Sequence, residues 1–99
     1  MQIISVRDKR IKAIVENATL TSVKGLDALE FRKIAAMVEA LRVMTDPAQL
    51  AAVPSWRAHT LSGSDAGKWS LTVTRNWRLT FYADVVTQTV TLLDYEDYH

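Results

Sequence analysis

The chain has 99 residues and a formal net charge of +1, a length that suits one domain with a single hydrophobic core. It contains no cysteine, which excludes disulfides and thiolate metal sites and fits a reducing compartment. No apolar run approaches the ~20 residues that span a bilayer, and the apolar start at residues 1–6 lacks the layout of a signal peptide. We therefore expect residues 1–99 to form one cytoplasmic domain without membrane contact.

The charges are unevenly distributed along the sequence. Residues 1–45 hold eight Lys and Arg against five Asp and Glu, whereas residues 46–99 hold four against six. A basic N-terminal half is typical of ordinary solvated helix surfaces. It would favour a phosphate-bearing partner only if the cations gathered on one face, which the sequence does not decide.

The N-terminal half carries the signals of one strand and two helices. Residues 2–6 are apolar and β-branched, which predicts a first strand. Asp8 precedes a first helix as its capping residue, and Asp27 with Glu30 forms a capping pair before a second helix. Residues 19–25 have the composition of a loop, and Pro47 opens a short third helical piece. The predicted buried helix faces consist of Ile11, Ile14, Val15 and Ala18 in the first helix, and of Phe31, Ile34, Val38 and Leu41 in the second.

From about residue 57 the pattern changes to that of strands. A strand around residues 57–61 precedes two alternating segments that predict a β-hairpin, and a last strand covers about residues 88–95. A three-residue hairpin loop at residues 74–76 lets apolar residues share a face. It pairs Val73 with Trp77, Leu71 with Leu79, and Trp69 with Phe81. We expect Asn76 to take the left-handed conformation that such loops need.

This register also defines a polar face of the sheet, on the side away from the core. Three facing pairs lie on it: Thr72 with Arg78, Ser70 with Thr80, and Lys68 with Tyr82.

Helices followed by a strand meander predict an α+β fold with an antiparallel sheet and the N-terminal helices packed on one face. Trp69 and Trp77 alternate with polar residues on the core side, which favours packing over stacking on bases. Trp56 fits either interpretation.

Ionisable groups concentrate at the C-terminal segment, whose six residues are Asp94, Tyr95, Glu96, Asp97, Tyr98 and His99. They follow an apolar stretch that predicts a strand. A strand would hold these side chains in place, so they could serve as acid, base and phenol in one site.

The chain contains two histidines, His59 and His99, on or beside the same predicted sheet. Imidazole titrates near neutral pH and so suits proton transfer. Arg78 could fork two donors onto a phosphate, or it could pair with Asp94 or Glu96 across the sheet. A metal site formed by His59, Asp97 and His99 is a weaker alternative, because the sequence has no recognised ligand spacing. From the residues alone, phosphoryl chemistry on RNA is one function among several.

Four segments in order carry a family resemblance: residues 56–61 (Trp-Arg-Ala-His-Thr-Leu), 67–70 (Gly-Lys-Trp-Ser), 76–81 (Asn-Trp-Arg-Leu-Thr-Phe) and 94–99 (Asp-Tyr-Glu-Asp-Tyr-His). With them the chain resembles the HigB branch of the RelE toxin superfamily, the toxin halves of bacterial type II toxin–antitoxin pairs. Residues 1–55 agree with that family in layout only. The resemblance implies a small RelE-like fold, consistent with the α+β prediction.

The same resemblance implies an activity and its partners. Members of this family are ribosome-dependent endoribonucleases that cut mRNA in the ribosomal A site and so inhibit translation. We expect this reaction to use no metal and no other cofactor. The expected partners are the ribosome with its mRNA and a helix-turn-helix antitoxin similar to HigA, with operator DNA reached only through that antitoxin.

Roles carry over to residues that match the family's motif. His59 and His99 occupy its catalytic histidine positions, Asp97 and Tyr98 its acidic and phenolic positions, and Arg78 that of its phosphate-binding arginine. We expect His99 or Asp97 to act as the base, with His59 orienting the substrate or donating a proton. The predicted substrate-binding residues are Lys68, Arg75 and Ser62.

One position departs from the family pattern. Some relatives carry a lysine three residues after the first histidine, where this chain has Ser62. Because a hydroxyl cannot neutralise a phosphate, we expect either slower cleavage or substitution by Lys68. The alternative function is therefore a catalytically weakened or non-catalytic module that binds the ribosome or the antitoxin.

Overall fold

A computed structural model describes residues 1–98, so the predicted site residue His99 lies outside the described part of the chain. The helices are α1 (Lys9–Glu16) and α2 (Ala28–Val43), with short 3-10 helices at Pro47–Ala52, Pro54–Trp56 and Gly63–Asp65. The strands are β1 (Gln2–Ile3), β2 (His59–Thr60), β3 (Trp69–Thr72), β4 (Trp77–Asp84) and β5 (Thr89–Asp97). This order confirms the sequence of elements that the pattern predicts.

Both helices begin at the predicted capping residues. The Asp8 carboxylate accepts hydrogen bonds from the backbone amides of Arg10 and Ile11 at 2.8 and 3.2 Å. The Asp27 carboxylate accepts from the Glu30 amide at 2.7 Å, and Glu30 accepts from the Asp27 amide at 3.2 Å. These bonds satisfy amides that have no partner within the first turn of a helix.

The first helix ends earlier than predicted, at Glu16, so Ala18 lies outside it. The Asn17 side chain accepts hydrogen bonds from the backbone amide and the hydroxyl of Thr19 at 3.0 and 2.7 Å. Asparagine commonly forms such local turns in competition with helical bonding. The chain therefore leaves the helix two residues before its apolar periodicity ends.

The five strands form one sheet in the order β1-β5-β4-β3-β2. Strands β2 to β5 are antiparallel to their neighbours, as predicted, but β1 runs parallel to β5. The antiparallel sheet predicted for the C-terminal strands is therefore confirmed, and β1, for which no direction was predicted, adds a parallel strand at its edge. Both helices and the whole meander separate β1 from β5 along the chain, so no hairpin fixes their relative direction.

The first strand is also shorter than the predicted residues 2–6. Beyond Ile3, a single parallel bridge joins Val6 to Leu93. Leu92 has a φ of +53°, which distorts β5 at this point, and its amide donates to the Ser5 hydroxyl at 2.8 Å. The distorted stretch of β5 explains why the ladder breaks between Ile3 and Val6.

The hairpin register is the predicted one, with Trp69 opposite Phe81, Leu71 opposite Leu79, and Val73 bonded to Trp77 through its amide at 3.0 Å.

The prediction for Asn76 was wrong, because it is not among the residues with positive φ. Instead the loop is closed by side chains. The Thr74 hydroxyl accepts from the Trp77 amide at 3.2 Å, and Arg78 Nη1 donates to the carbonyls of Thr74 and Arg75 at 2.8 and 3.1 Å.

The core lies between the helix layer and one face of the sheet, which confirms the α+β architecture. Trp69 and Trp77 pack against it, as predicted, and so does Trp56. The buried apolar residues come from both layers: Ile11, Ile14, Phe31, Ile34, Met37, Val38 and Leu41 from the helices, and Leu71, Leu79, Phe81, Val90, Leu93 and Tyr95 from the strands. Within residues 1–98, no helix combines the length and the apolar content that crossing a membrane requires.

Candidate functional site

The register places several predicted site residues on the same polar face of the sheet. Across the strands, His59 lies opposite Ser70, Ser70 opposite Thr80, and Thr80 opposite Asp94. The neighbouring row contains Thr72, Arg78 and Glu96. Because directly opposed residues project from the same side of a sheet, the two rows together form one polar surface.

Part of this surface is buried, although we expected it to lie away from the core. Ser70 and Thr80 expose only 1% and 0% of their surface. A buried hydroxyl needs a hydrogen-bond partner, and the Thr80 hydroxyl donates to Glu96 Oε2. The polar face therefore contains an ordered layer of side chains rather than a set of independent solvated groups.

Lys68 lies in this layer between two carboxylates. Its Nζ is 3.4 Å from Glu96 Oε2 and 3.5 Å from Asp65 Oδ1, and it exposes only 14% of its side-chain surface. Burial by itself lowers the pKa of Lys68, but attraction to Glu96, the hydrogen bond with it and attraction to Asp65 raise that pKa above its usual value. Lys68 is therefore a permanent cation on this face.

Tyr98 lies beside this ion network, half-buried at the end of the described chain. Its amide donates to the Asn76 carbonyl at 2.6 Å, which ties the end of β5 to the hairpin loop. Burial raises the pKa of the Tyr98 phenol, and the charge of Glu96 raises it further, against smaller opposing effects of Lys68 and Arg78. The phenol is thus protonated at neutral pH and can donate a hydrogen bond.

Asp97 lines a shallow depression together with Asp65, Glu96 and Tyr98. Within β5 it is paired with Trp77, so by strand alternation it belongs to the opposite face from Glu96. It is exposed, because β5 ends at this residue. The depression consequently collects carboxylates from two strand positions and from the 3-10 helix Gly63–Asp65.

His59 is exposed on the short strand β2. Its Nδ1 lies 2.6 Å from the carbonyl oxygen of Arg57, which can only accept a hydrogen bond, so Nδ1 carries the proton. In the neutral ring Nε2 is then the proton acceptor. Arg57 itself has a φ of +49°, and this left-handed residue turns the chain from the 3-10 helix Pro54–Trp56 into β2.

Arg78 bonds to backbone carbonyls rather than to Asp94 or Glu96. Its Nη1 donates to the carbonyls of Thr74, Arg75 and Trp77 at distances of 2.8 to 3.2 Å. The ion pair across the sheet, which the sequence left open, is therefore not the arrangement that the arginine adopts.

The two other predicted substrate-binding residues are exposed at the edges of this surface. Arg75 occupies the hairpin loop, and Ser62 precedes the 3-10 helix Gly63–Asp65 without making a capping hydrogen bond. The structure therefore brings Lys68, Arg78 and Tyr98 around Glu96, whereas Arg75 and Ser62 lie in flanking loops.

The sequence analysis did not predict that Glu96, Asp65 and Thr80 contribute to the ion and hydrogen-bond network around Lys68. Glu96 was set aside because the resemblance singles out the three residues that follow it. The signal that could have found it is the pairing of β4 with β5, which sets Glu96 opposite Arg78 and on the same face as Thr80. Asp65 had no comparable signal, because its position depends on how a loop folds over the sheet edge.

A second cluster lies on the helix side of the same strands. The Trp77 and Tyr95 rings stack with centroids 4.8 Å apart, and the Arg10 guanidinium lies 5.3 and 5.1 Å from these two centroids. Asp8 holds Arg10 through an ion pair at 2.8 Å. Among residues 1–98, no group of three or more His, Cys, Asp and Glu side chains is arranged to hold a metal ion.

Comparisons with known proteins found one similar protein sequence and one similar solved structure. No model of a known family matches the chain. Endoribonuclease HigB of Proteus vulgaris is 31% identical over 95 residues, which cover 96% of this chain and 97% of that protein. A chain in the crystal structure of the toxin–antitoxin complex RelBE2 from Mycobacterium tuberculosis gives a TM-score of 0.48 at 19% identity, over 99% of this chain and 96% of that chain.

Proposed function

Because this chain belongs to the HigB family of endoribonucleases, we propose that it is the toxin of a type II toxin–antitoxin system and cuts mRNA in the ribosomal A site. The observation that carries the proposal is the 31% identity to Endoribonuclease HigB along nearly the full length of both chains. The family membership confirms the resemblance carried by the four sequence segments. A match of this extent also supports treating residues 1–99 as one functional unit.

The reaction that we propose is an intramolecular transesterification. The 2′-oxygen of a ribose attacks the adjacent phosphorus, the bond from phosphorus to the 5′-oxygen breaks, and a 2′,3′-cyclic phosphate remains. A base takes the proton of the 2′-hydroxyl, and an acid supplies a proton to the departing 5′-oxygen. Positive charge must meanwhile balance the crowded non-bridging oxygens.

We assign the proton transfers to groups that the family motif marks. His99 or Asp97 takes the first proton, and His59 orients the substrate or donates the second. Nε2 of His59 has no hydrogen bond to any of residues 1–98, which supports this role, since Nδ1 is already bonded to the Arg57 carbonyl. The raised pKa of Tyr98 argues against a phenolate base, so Tyr98 acts as a hydrogen-bond donor. No metal takes part in this scheme.

We assign phosphate binding to Arg78, supported by Lys68 and by the exposed Arg75 and Ser62. Arg78 Nη1 is held by the hairpin-loop carbonyls, which fixes the guanidinium group before the substrate arrives. A cation that is already held in place loses little conformational entropy when the substrate binds, so it stabilises the negative charge that develops in the transition state effectively.

We further propose that a helix-turn-helix antitoxin similar to HigA neutralises the protein, and that operator DNA is reached only through this antitoxin. The substrate would be mRNA on the ribosome, which places the activity in the cytoplasm. Co-expression with the product of an adjacent small gene tests the pairing. A stable complex that restores growth supports it, and unrelieved toxicity argues against it.

A purified translation system tests the activity. Primer extension on a translated mRNA should reveal new 5′ ends that appear with the wild-type protein, and not with the same mRNA in the absence of ribosomes. Inhibition of translation without such ends would indicate the non-catalytic binding module instead. Loss of cutting with a chelator of transition metals, while magnesium is kept for the ribosome, would indicate a metal-dependent hydrolase.

A further inference from the structure

The Lys68 side chain is held in place by more contacts than an exposed lysine that binds only substrate. It exposes 14% of its side-chain surface and lies 3.4 Å from Glu96 and 3.5 Å from Asp65. An ammonium group withdrawn from water requires compensating partners, and here two carboxylates supply them. The arrangement keeps the charge of Lys68 at one place on the polar face.

The stronger of the two anchors is Glu96. It belongs to β5, where it pairs with Arg78 of the central strand β4, and its Oε2 also accepts a hydrogen bond from Thr80, whose side chain is fully buried on β4. Asp65 exposes 49% of its side-chain surface, against 29% for Glu96, and belongs to a three-residue 3-10 helix. Glu96 is therefore fixed by the sheet, whereas Asp65 closes over Lys68 from a loop.

The ammonium of Lys68 is not saturated by these contacts. Charge-assisted N–H···O bonds are typically about 2.7–2.9 Å long. The distances of 3.4 and 3.5 Å from Lys68 Nζ are longer than this, and an ammonium group has three donors. Within residues 1–98, capacity for a further anionic oxygen therefore remains at this ammonium, close to Tyr98, whose phenol is influenced by the charges of Glu96, Lys68, Asp65 and Arg78.

We propose that Glu96 is a positioning residue of the cleavage reaction, which holds the Lys68 ammonium at the depression beside Tyr98 so that Lys68 supplies the positive charge that Ser62 cannot. The inference rests on the proposed function. Glu96 acts through Lys68 and has no contact with the RNA of its own. Thr80 fixes Glu96 in turn, because its buried hydroxyl donates a hydrogen bond to the same oxygen of Glu96 that lies next to Lys68.

A double-mutant cycle in ribosome-dependent cleavage tests this inference. We expect Lys68→Met and Glu96→Gln each to lower the single-turnover cleavage rate by about 10²- to 10³-fold, in the range seen when one donor to a transition state is removed. The double variant should be no slower than Lys68→Met alone, because Glu96 has nothing left to position. Ribosome binding should change far less than the rate.

The matched control is the ion pair of Lys12 with Glu16 on α1, whose Nζ and Oε1 lie 3.8 Å apart with both side chains more than half exposed. Lys12→Met, Glu16→Gln and their double variant make the same charge changes far from the polar face. They should leave the cleavage rate unchanged.

Each other result overturns the inference. If wild type cuts mRNA and Lys68→Met cuts equally fast, Lys68 supplies no needed charge, and this holds whether or not Glu96→Gln folds. If the two losses multiply in the double variant, Glu96 acts independently of Lys68. If wild type itself does not cut, the proposed function fails and the inference fails with it, a result distinct from the other two.

Discussion

The hydroxyl of Tyr95 donates a 2.6 Å hydrogen bond to Glu30 Oε2, joining β5, which carries Glu96 and ends just before Tyr98, to helix α2. Tyr95 is 4% exposed, and its ring stacks on Trp77 beneath the Arg10 guanidinium. The polar site on one face of β5 is therefore held by an aromatic and ionic cluster on the other face. Burial, followed by the bond to Glu30, raises the pKa of Tyr95, so this phenol stays a donor at every pH at which the protein is handled.

Tyr95→Phe should lower the free energy of unfolding by about 1.5–3 kcal/mol, since it removes a buried hydrogen bond to a charged acceptor. Urea titration followed by tryptophan fluorescence measures the change. Tyr82→Phe is the matched control, because Tyr82 is half-buried on β4 and its hydroxyl forms no hydrogen bond within the described residues 1–98. Equal stability of the two variants would contradict this account of the Tyr95 bond.

The N-cap of α1 makes a prediction about acid stability. Burial raises the pKa of Asp8, but its hydrogen bonds with the Arg10 side chain and the Ile11 and Arg10 amides, and the charge of Arg10, lower that pKa below its usual value. A carboxyl group with a lowered folded-state pKa contributes stability above its unfolded pKa, near 3.9, and this contribution is lost as pH falls through the folded value.

Asn is as good a capping residue as Asp, so Asp8→Asn removes only the charge that pairs with Arg10 and with the helix N-terminus. It should therefore lose stability at pH 7, by roughly 0.3–1 kcal/mol. The difference from wild type should shrink at pH 3, and urea titrations at the two pH values measure it. Glu39→Gln, at an exposed position of α2, should show no such pH-dependent difference. A constant difference for Asp8→Asn at both pH values would argue against a role of its charge.

The ion network predicts a change in the titration of Lys68. Asp65 and Glu96 face Lys68 from the 3-10 helix and from β5, with Tyr98 nearby, and their charges outweigh burial to keep the pKa of Lys68 raised. Glu96→Gln removes one attraction and leaves burial in place, so the pKa of Lys68 should fall in this variant. NMR titration of the Lys68 side chain in the isolated protein, above about pH 9 where lysine loses its charge, measures the shift. The same titration midpoint in wild type and Glu96→Gln would contradict this explanation.

His59→Ala should leave the protein folded and slow mRNA cleavage by about 10²- to 10⁴-fold, the range for loss of a general acid or base. The residue is exposed, so little packing is lost. Thr60→Ala, at the next exposed position of β2, is the matched control and should cut at the wild-type rate. Cleavage rates and thermal melting curves, measured on the same variants, separate a loss of catalysis from a loss of folding. Normal cutting by His59→Ala would remove His59 from the mechanism.

The parts of the fold that were predicted correctly depend on local signals. Asp8 and Asp27 mark the starts of the two helices through hydrogen bonds to amides no more than three residues away. In the hairpin, only one register places the alternating apolar residues of both strands on the buried face. The conformation of Asn76 was missed because the side chains of Thr74 and Arg78 close the loop instead.

What the sequence could not provide depends on contacts between distant segments. The parallel pairing of β1 with β5 joins the two ends of the described chain. The network around Lys68 joins side chains from the 3-10 helix Gly63–Asp65, β4 and β5. Its central member, Glu96, could not be told from the other ionisable residues of the last strand by sequence. The catalytic roles of His59, Arg78, Asp97, Tyr98 and His99 stay predictions that the family motif supports.

Cleavage on ribosomes stalled with a defined codon in the A site tests the central claim most directly. Purified wild-type protein should cut the mRNA within that codon in a single turnover, and should leave the same RNA intact without ribosomes. His99→Ala should cut at least about 100-fold more slowly while binding the ribosome. Equal cutting of free RNA, or cutting by His99→Ala at the wild-type rate, would contradict the account.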